Sequence, residues 1–247
     1  MSKNFQTYSK YYNLLYGDKD YNAEANYVSK KIRTFAPKAE SVLEFGSGTG
    51  GHGLLLQKNG FQVFGLDKSE YMAAEAKKKG LECQVADISN FKLKGKYDAV
   101  VSLFHVISYL TDNKDLIATF FNAHKHLNNG GVFLFDVWYS PAVYKQKASH
   151  RVKRMKNKEI AVTRTATPKI DGNRNVINVE YKILVKDLIT KKTNRLLENH
   201  PMRHFSIPEI GLLAKLTGFE MVKAEEFLTG KKPSDNTWGV CFVLKKI

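Results

Sequence analysis

The chain has 247 residues, of which 43% are hydrophobic and 26% charged, a composition that suits one large packed domain and excludes a disordered chain. No apolar run reaches the roughly 18–20 residues that span a bilayer, and the stretch from Met1 to Gln6 has no apolar signal core, so the expected location is cytoplasmic. The formal net charge of +15 attracts polyanions and keeps both nucleic acid and phosphorylated small molecules in view.

Tyr8, Tyr11, Tyr12, Leu15 and Tyr16 recur at helical spacing, so the segment to Lys38 reads as helical. Gly17-Asp18 interrupts it, and a second helix from about Ala23 to Phe35 stops ahead of Pro37. Strands are predicted at Ser41–Phe45, Gln62–Leu66, Leu81–Ala86, Tyr97–Leu103 and Val132–Val137. Helices at Gly51–Lys58, Ser69–Lys79 and Asp115–Leu127 alternate with them. Asn59-Gly60, Gly80 and Asn128-Asn129-Gly130-Gly131 supply the stops and turns. Such alternation predicts a parallel sheet with helices on both faces. From Arg151 to about Phe205 the pattern changes to long strands, with Ile177, Val179, Tyr181, Ile183 and Val185 alternating with other residues, as in an antiparallel sheet with one wet face. Ile207-Pro208-Glu209 opens a helix that ends at Gly218, and Phe219–Phe227 with Val240–Lys245 read as a closing antiparallel pair.

The most informative segment runs from Val42 to Gly53, a strand that turns into a helix through Gly46-Ser47-Gly48-Thr49-Gly50-Gly51. Glycines there let the backbone turn sharply and approach a ligand with no Cβ in the way. Gly46, Gly48 and Gly51 also satisfy the dinucleotide pattern, with Asp67 where a ribose-binding acid belongs, so the loop alone does not separate NAD from S-adenosylmethionine. Glu44 inside the apolar strand would repel a pyrophosphate, whereas it could hold the ammonium of a methionine moiety. Asp87, after the third strand, can accept from an adenine amino group. Taken singly, Glu44 reads equally well as a half-exposed strand end and Asp87 as a helix cap. Their joint placement with Asp67 favours S-adenosylmethionine.

Cys83 and Cys241 match no metal spacing, so both read as small buried residues and no metal site is expected. The densest cationic cluster comprises Lys145, Lys147, His150, Arg151, Lys153, Arg154, Lys156 and Lys158. It has no interleaved aromatic ladder for stacking bases, which favours a charged face or a phosphate-facing strand over a nucleic-acid groove.

With these residues in place, the whole chain resembles the class I S-adenosylmethionine-dependent methyltransferases. It is more particularly similar to a bacterial branch that includes nucleotide-sugar amine N-methyltransferases. The glycine loop carries the superfamily likeness. Tyr12 to Tyr16 with Lys19-Asp20-Tyr21, Val101 to Leu110, Asp136-Val137-Trp138-Tyr139 and Gly218-Phe219 carry the likeness to the branch, and the Asn128–Gly131 turn also suits the family. Where those sugar enzymes have a Gly-rich, Arg-containing segment before the last strand, this chain reads Gly230 to Trp238 without arginine.

The resemblance implies a single α/β domain: a helical cap over 1–38, a Rossmann-like core over 39–140 and 206–247, and an antiparallel β insertion over 150–205. The core sheet should be mostly parallel with an antiparallel final strand. The expected cofactor is S-adenosylmethionine. Glu44 is assigned to its ammonium, Gly46, Ser47, Gly48 and Gly50 to backbone approach, and Asp67 to the ribose hydroxyls. Lys68, Asp87 and Ile88 are assigned to the adenine, and Leu103 and Phe104 to the sulfonium. Tyr12, Tyr16 and Tyr21 either close over the cofactor or only pack a helix.

His105, at the end of the fourth strand, is the leading candidate base, with a backbone-bonded loop histidine as the plain alternative. Tyr109 is the second, since the branch places Tyr or His there. Tyr8, Trp138, Tyr139, Arg203 and His204 are the candidate acceptor contacts, although a solvated strand face also explains the last two. The expected reaction is methyl transfer to N or O of a small, phosphorylated or nucleotide-linked acceptor, of the kind used for surface glycans. The competing functions are an RNA or DNA methyltransferase and a non-catalytic cofactor-binding scaffold. Against the first, Ser102-Leu103-Phe104-His105 stands where base N-methylating enzymes carry an Asn/Asp-Pro-Pro-Tyr tetrad.

Overall fold

The computed structural model describes residues 14, 15, 17 and 19–247. They form two compact units, residues 21–146 with 203–247, and residues 147–202 with the described residues before Tyr21. Among the described residues no helix is long and apolar enough to cross a membrane.

The larger unit alternates as the sequence predicts. Helix α1 (Tyr21–Phe35) precedes β1 (Ser41–Phe45), α2 (Gly51–Lys58), β2 (Gln62–Asp67), α3 (Glu70–Lys78), β3 (Glu82–Val85) and β4 (Tyr97–Ser102). A 3₁₀ turn (Val106–Tyr109) leads to α4 (Asn113–His126), β5 (Leu127–Tyr139) and α5 (Ser140–Gln146). After the smaller unit come α6 (Ile207–Leu216), β10 (Phe219–Glu226) and β11 (Gly239–Lys246). Neighbouring strands run β3-β2-β1-β4-β5-β11-β10, parallel through β5 and antiparallel from there on. The fold is therefore the expected mostly parallel sheet with an antiparallel final strand. The strand order reverses beside β1, where open α/β sheets place their ligands.

Strand alternation divides the core between two faces. Leu43, Phe45, Val100, Phe133, Phe135 and Phe242 pack with Leu116, Phe120 and Ala123 of α4 and with Ile210, Leu213 and Ala214 of α6. Val42, Ala99, Val101, Val132, Leu134, Cys241 and Val243 pack instead with Val28 and Ile32 of α1, Leu56 of α2, and Ala73 and Ala76 of α3. By the same alternation Glu44 and Asp136, both 1% exposed, lie on this second face.

Helix starts follow local chemistry. Ser69 caps α3 by accepting from Met72 N–H, Asp112 caps α4 through Lys114 N–H, and Ser206 caps α6 through Glu209 N–H. β5 begins earlier than Val132, but Tyr97 pairs with Leu127 and Ala99 with Val132, so residues 128–131 bulge out of the ladder. The expected turn is thus a bulge within a longer strand, with Gly130 at φ 74°. Asp98 ties this corner together, taking N–H bonds from Glu40 and Ser41 at 3.0 Å, the Ser41 hydroxyl at 2.8 Å and the Asn128 amide at 2.8 Å.

In the smaller unit β6 (Arg151–Lys156), β7 (Ile160–Asp171), β8 (Val176–Asp187) and β9 (Thr193–Phe205, whose last three residues belong to the larger unit) lie in sequence order. The β6–β7 and β7–β8 pairs are antiparallel. One face buries Ile160, Val162, Ile183 and Val185 with Leu15. Lys153 pairs with Arg164, which pairs with Ile183, so Lys153 stands on that covered face and donates to the Leu15 carbonyl at 2.7 Å. Arg154 pairs with Thr163 and stands on the opposite face. The run of positive charge along β6 is therefore split between two faces.

Candidate active site

All of the site residues described below belong to the larger unit. The glycine loop turns at the carboxyl end of β1 through three left-handed residues, Gly46 at φ 71°, Gly48 at φ 55° and Gly50 at φ 82°. The main-chain N–H groups of Gly46 and Ser47 both donate to the Leu66 carbonyl, at 2.8 and 3.0 Å. The Ser47 side chain turns inward, its Oγ 3.3 Å from Cys83 Sγ. A Cβ at Gly48 would meet nothing within 4 Å, so this side of the loop is open to an approaching ligand. Glu44 lies against α2, where a Cβ on Gly53 would come 2.5 Å from its Oε2. Gly53 is small because a buried carboxylate occupies the space.

Asp67 ends β2 and faces the loop. Its Oδ2 accepts from Gly48 N–H at 2.7 Å and its Oδ1 from Ser69 N–H at 2.8 Å. Burial raises its carboxyl pKa above the ordinary range, and the two N–H donors only partly offset this. Further hydrogen-bond donors, such as a pair of hydroxyls, would relieve that cost. Asp87 follows β3 and accepts from Ser89 N–H and Oγ at 2.9 and 2.7 Å and from Lys68 Nζ at 2.8 Å. Burial raises its pKa, but the Lys68 and Ser89 contacts outweigh that and hold it below the ordinary range. Lys68 is therefore paired with Asp87, and Ile88 beside it is 8% exposed.

After β4, Leu103 is buried, and Phe104 and His105 both take left-handed backbone, at φ 65° and 61°. His105 Nδ1 lies 2.7 Å from Asp136 Oδ2, and its main-chain N–H lies 3.4 and 3.3 Å from the two Asp136 oxygens. Burial pushes the Asp136 carboxyl up, yet the charge and hydrogen bonds of His105 outweigh burial and leave it lowered. The His105 ring sits 6.0 Å from the Trp138 ring and 6.0 Å from Phe104. Trp138 in turn meets Trp238 edge-on at 6.0 Å, and Trp238 Nε1 donates to Gln146 at 2.8 Å. His105, Phe104 and Trp138 are thus brought together, with Tyr139 next along β5. Tyr109 is 47% exposed at the end of the 3₁₀ turn.

Arg203 and His204 have other partners. Arg203 donates to Asn113 Oδ1 and Glu209 Oε1, both at 2.6 Å. His204 is fully buried, with Nδ1 2.9 Å from Ser140 Oγ. Burial first, then the charge of Arg203, lowers its pKa to about 4, so it is neutral at pH 7 and supplies no positive charge for an anion. Tyr21 packs on Gly51 and tilts against His52 at 4.9 Å, while buried His52 and Glu24 lie 2.7 Å apart. Tyr8, Tyr12 and Tyr16 lie outside the described residues.

Three participants carried no assigned role in the sequence reading: Asp136, Trp238 and the Glu24–His52 pair. For Asp136 the signal was present. It is an acid within the apolar run Val132–Val137, as Glu44 is within β1.

A family model described as a methyltransferase domain matches residues 20–224. A dTDP-3-amino-3,4,6-trideoxy-alpha-D-glucopyranose N,N-dimethyltransferase of Streptomyces venezuelae is 34% identical over 128 residues, 51% of this chain and 54% of that protein. The chain spans about half the length of the curated relatives it matches. Among solved structures, Streptomyces venezuelae DesVI is 25% identical with a TM-score of 0.82, covering 100% of both chains. The sugar N-methyltransferase KedS8 from Streptoalloteichus sp ATCC 53650 is also 25% identical, with a TM-score of 0.83 over 97% of this chain and 92% of that one. Taken with the glycine loop at the carboxyl end of β1, these matches show that the chain belongs to the methyltransferase domain family, in the class I fold and close to its nucleotide-sugar N-methyltransferase branch.

Proposed function

We propose that this protein is an S-adenosylmethionine-dependent methyltransferase acting on a nitrogen or oxygen of a small anionic acceptor of the nucleotide-linked sugar type. The observation that carries this reading is the pairing of an open left-handed glycine loop with Asp67, whose half-buried carboxylate already takes Gly48 N–H and has remaining lone pairs for two ribose hydroxyls. Glu44 is suited to a methionine ammonium, Asp87 and Ile88 to the adenine, and Leu103 with Phe104 to the sulfonium. S-adenosylmethionine supplies an activated methyl and its own leaving group, so the protein's tasks are orientation and proton handling. The new bond to the acceptor forms as the methyl–sulfur bond breaks, with the electron pair staying on sulfur. The acceptor's proton passes to His105, which frees the lone pair that attacks. Trp138 and Tyr139 flank the acceptor.

Three of the curated relatives are named for dTDP-amino sugars, and the net charge of +15 suits a phosphate-bearing molecule. An amine of a nucleotide-linked sugar is accordingly the acceptor to try first. Isothermal titration with S-adenosylhomocysteine and NAD tests the cofactor. Micromolar S-adenosylhomocysteine binding without NAD binding is expected, and the reverse would sink the reading. Incorporation of labelled methyl into a panel of dTDP-amino sugars, structured RNA and duplex DNA tests the acceptor, and methylation of a polymer alone would redirect it.

A further inference from the structure

We propose that Asp136 is a positioning residue that holds His105 with Nδ1 protonated, so that Nε2 offers its lone pair to the acceptor. This inference rests on the reading of His105 as the proton acceptor.

Asp136 stands in β5 between Phe135 and Val137, on the face shared with Val132 and Leu134, and is 1% exposed. A carboxylate in such a place is costly without strong donors. Two donor groups of one residue face it, the His105 ring nitrogen Nδ1 at 2.7 Å and the His105 main-chain N–H at 3.3 Å. Of the ring nitrogens, Nδ1 is sealed from solvent while the side chain as a whole keeps 25% exposure. The remaining exposure therefore falls on the other side-chain atoms, among which Nε2 is the one polar group. The carboxylate can only accept, so the neutral ring facing it carries its proton on Nδ1. Nε2 is then unprotonated and ready to take a proton, and Asp136 stabilises the imidazolium that results.

The backbone points the same way. Phe104 and His105 are consecutive non-glycine residues at positive φ, a strained arrangement that persists where surrounding structure enforces it. Asp136 enforces it by gripping both the ring and the main chain of His105. A plain loop closure would need only an acceptor for the main-chain N–H, which an asparagine oxygen provides. The carboxylate is needed if the ring tautomer matters.

Nitrogen NMR of the intact protein labelled at histidine, over the pH range where the imidazole is neutral, reads the tautomer directly. His105 is expected in the Nδ1–H form. Finding the Nε2–H form overturns the proposal, and this result needs no variant. In Asp136→Asn, whose amide can donate to Nδ1, the signal is expected to move toward Nε2–H, and kcat to fall about tenfold or more with the KM for S-adenosylmethionine unchanged. An unchanged tautomer in the folded variant overturns the role of Asp136. A changed tautomer with unchanged kcat, together with full activity in His105→Gln, instead overturns His105 as the proton acceptor.

Discussion

Gly46 lies directly under Val106: a Cβ on Gly46 would sit 2.6 and 2.7 Å from the two γ-methyls of Val106. The glycine loop after β1 and the 3₁₀ turn after β4 are therefore packed as one unit, and the residue beside Val106 is His105. Gly46→Ala meets both this contact and a left-handed φ of 71°. It should lower stability by about 1–3 kcal/mol and weaken S-adenosylhomocysteine binding. Adding Val106→Ala should restore only part of the stability, because the space returns but the backbone strain remains. Urea denaturation of the single and double variants checks this. Full recovery would show that φ plays no part, and no recovery would show that the contact plays none.

Asp67 connects the loop to β2, and its loss should be felt mainly by ligand. Charge-assisted bonds to two hydroxyls are worth on the order of 1.5–3 kcal/mol, so Asp67→Ala should weaken S-adenosylhomocysteine about tenfold or more. The folded-state pKa of Asp67 is raised, so its ionised form opposes folding of the ligand-free protein at neutral pH. Thermal melts of the ligand-free variant should therefore fall little, since the lost Gly48 and Ser69 contacts are offset by removal of a partly desolvated charge. Unchanged ligand affinity in the folded variant would reduce Asp67 to a strand-end residue.

How far the sequence could be read depended on whether a signal was local. β1 and α2 fall at the predicted residues because a short apolar run, a glycine turn and Asn59-Gly60 sit side by side in the chain. α5 is not announced by the sequence, although Ser140-Pro141 is a fair helix opening, because only four residues separate its end from Arg151, where the next strand begins. The left-handed turn at Phe104-His105 has no glycine to announce it. It is imposed by Asp136, which is 31 positions downstream. The residues proposed for the cofactor lie at strand ends that carry their own motifs. Those proposed for the acceptor have partners brought together by sheet pairing, such as Trp138 with Trp238, and no spacing rule reveals those.

His204 gives the fold a dependence on acid. Its pKa in the folded state is lowered to about 4 by burial and by Arg203, whereas in an unfolded chain it is about 6.5. Between those values the unfolded state binds the extra proton, so stability should decline as pH falls from about 6.5 toward 4, by up to about 3 kcal/mol. His204→Gln removes this titration. The difference in urea midpoint between pH 7 and pH 5 should be smaller in the variant than in the parent protein. An equal difference would assign the acid sensitivity to other groups.

The two faces of β6 offer a way to separate charge from packing. Lys153→Ala and Arg154→Ala each remove one positive charge, so a long-range field that draws an anionic acceptor should weaken similarly in both. The expected sign is a modest rise in acceptor KM at low salt that fades as ionic strength increases. Stability should distinguish them. Lys153 shares its face with Arg164 and Ile183 and bonds the Leu15 carbonyl, so its loss forfeits a hydrogen bond and a packed stem, about 1–2 kcal/mol. Arg154 stands exposed on the other face, where substitution should stay within about 0.5 kcal/mol. Denaturation midpoints alongside acceptor KM at two salt concentrations provide both readouts. Equal destabilisation by the two variants would refute the assignment of faces. A rise in KM that does not fade with ionic strength would refute the diffuse field.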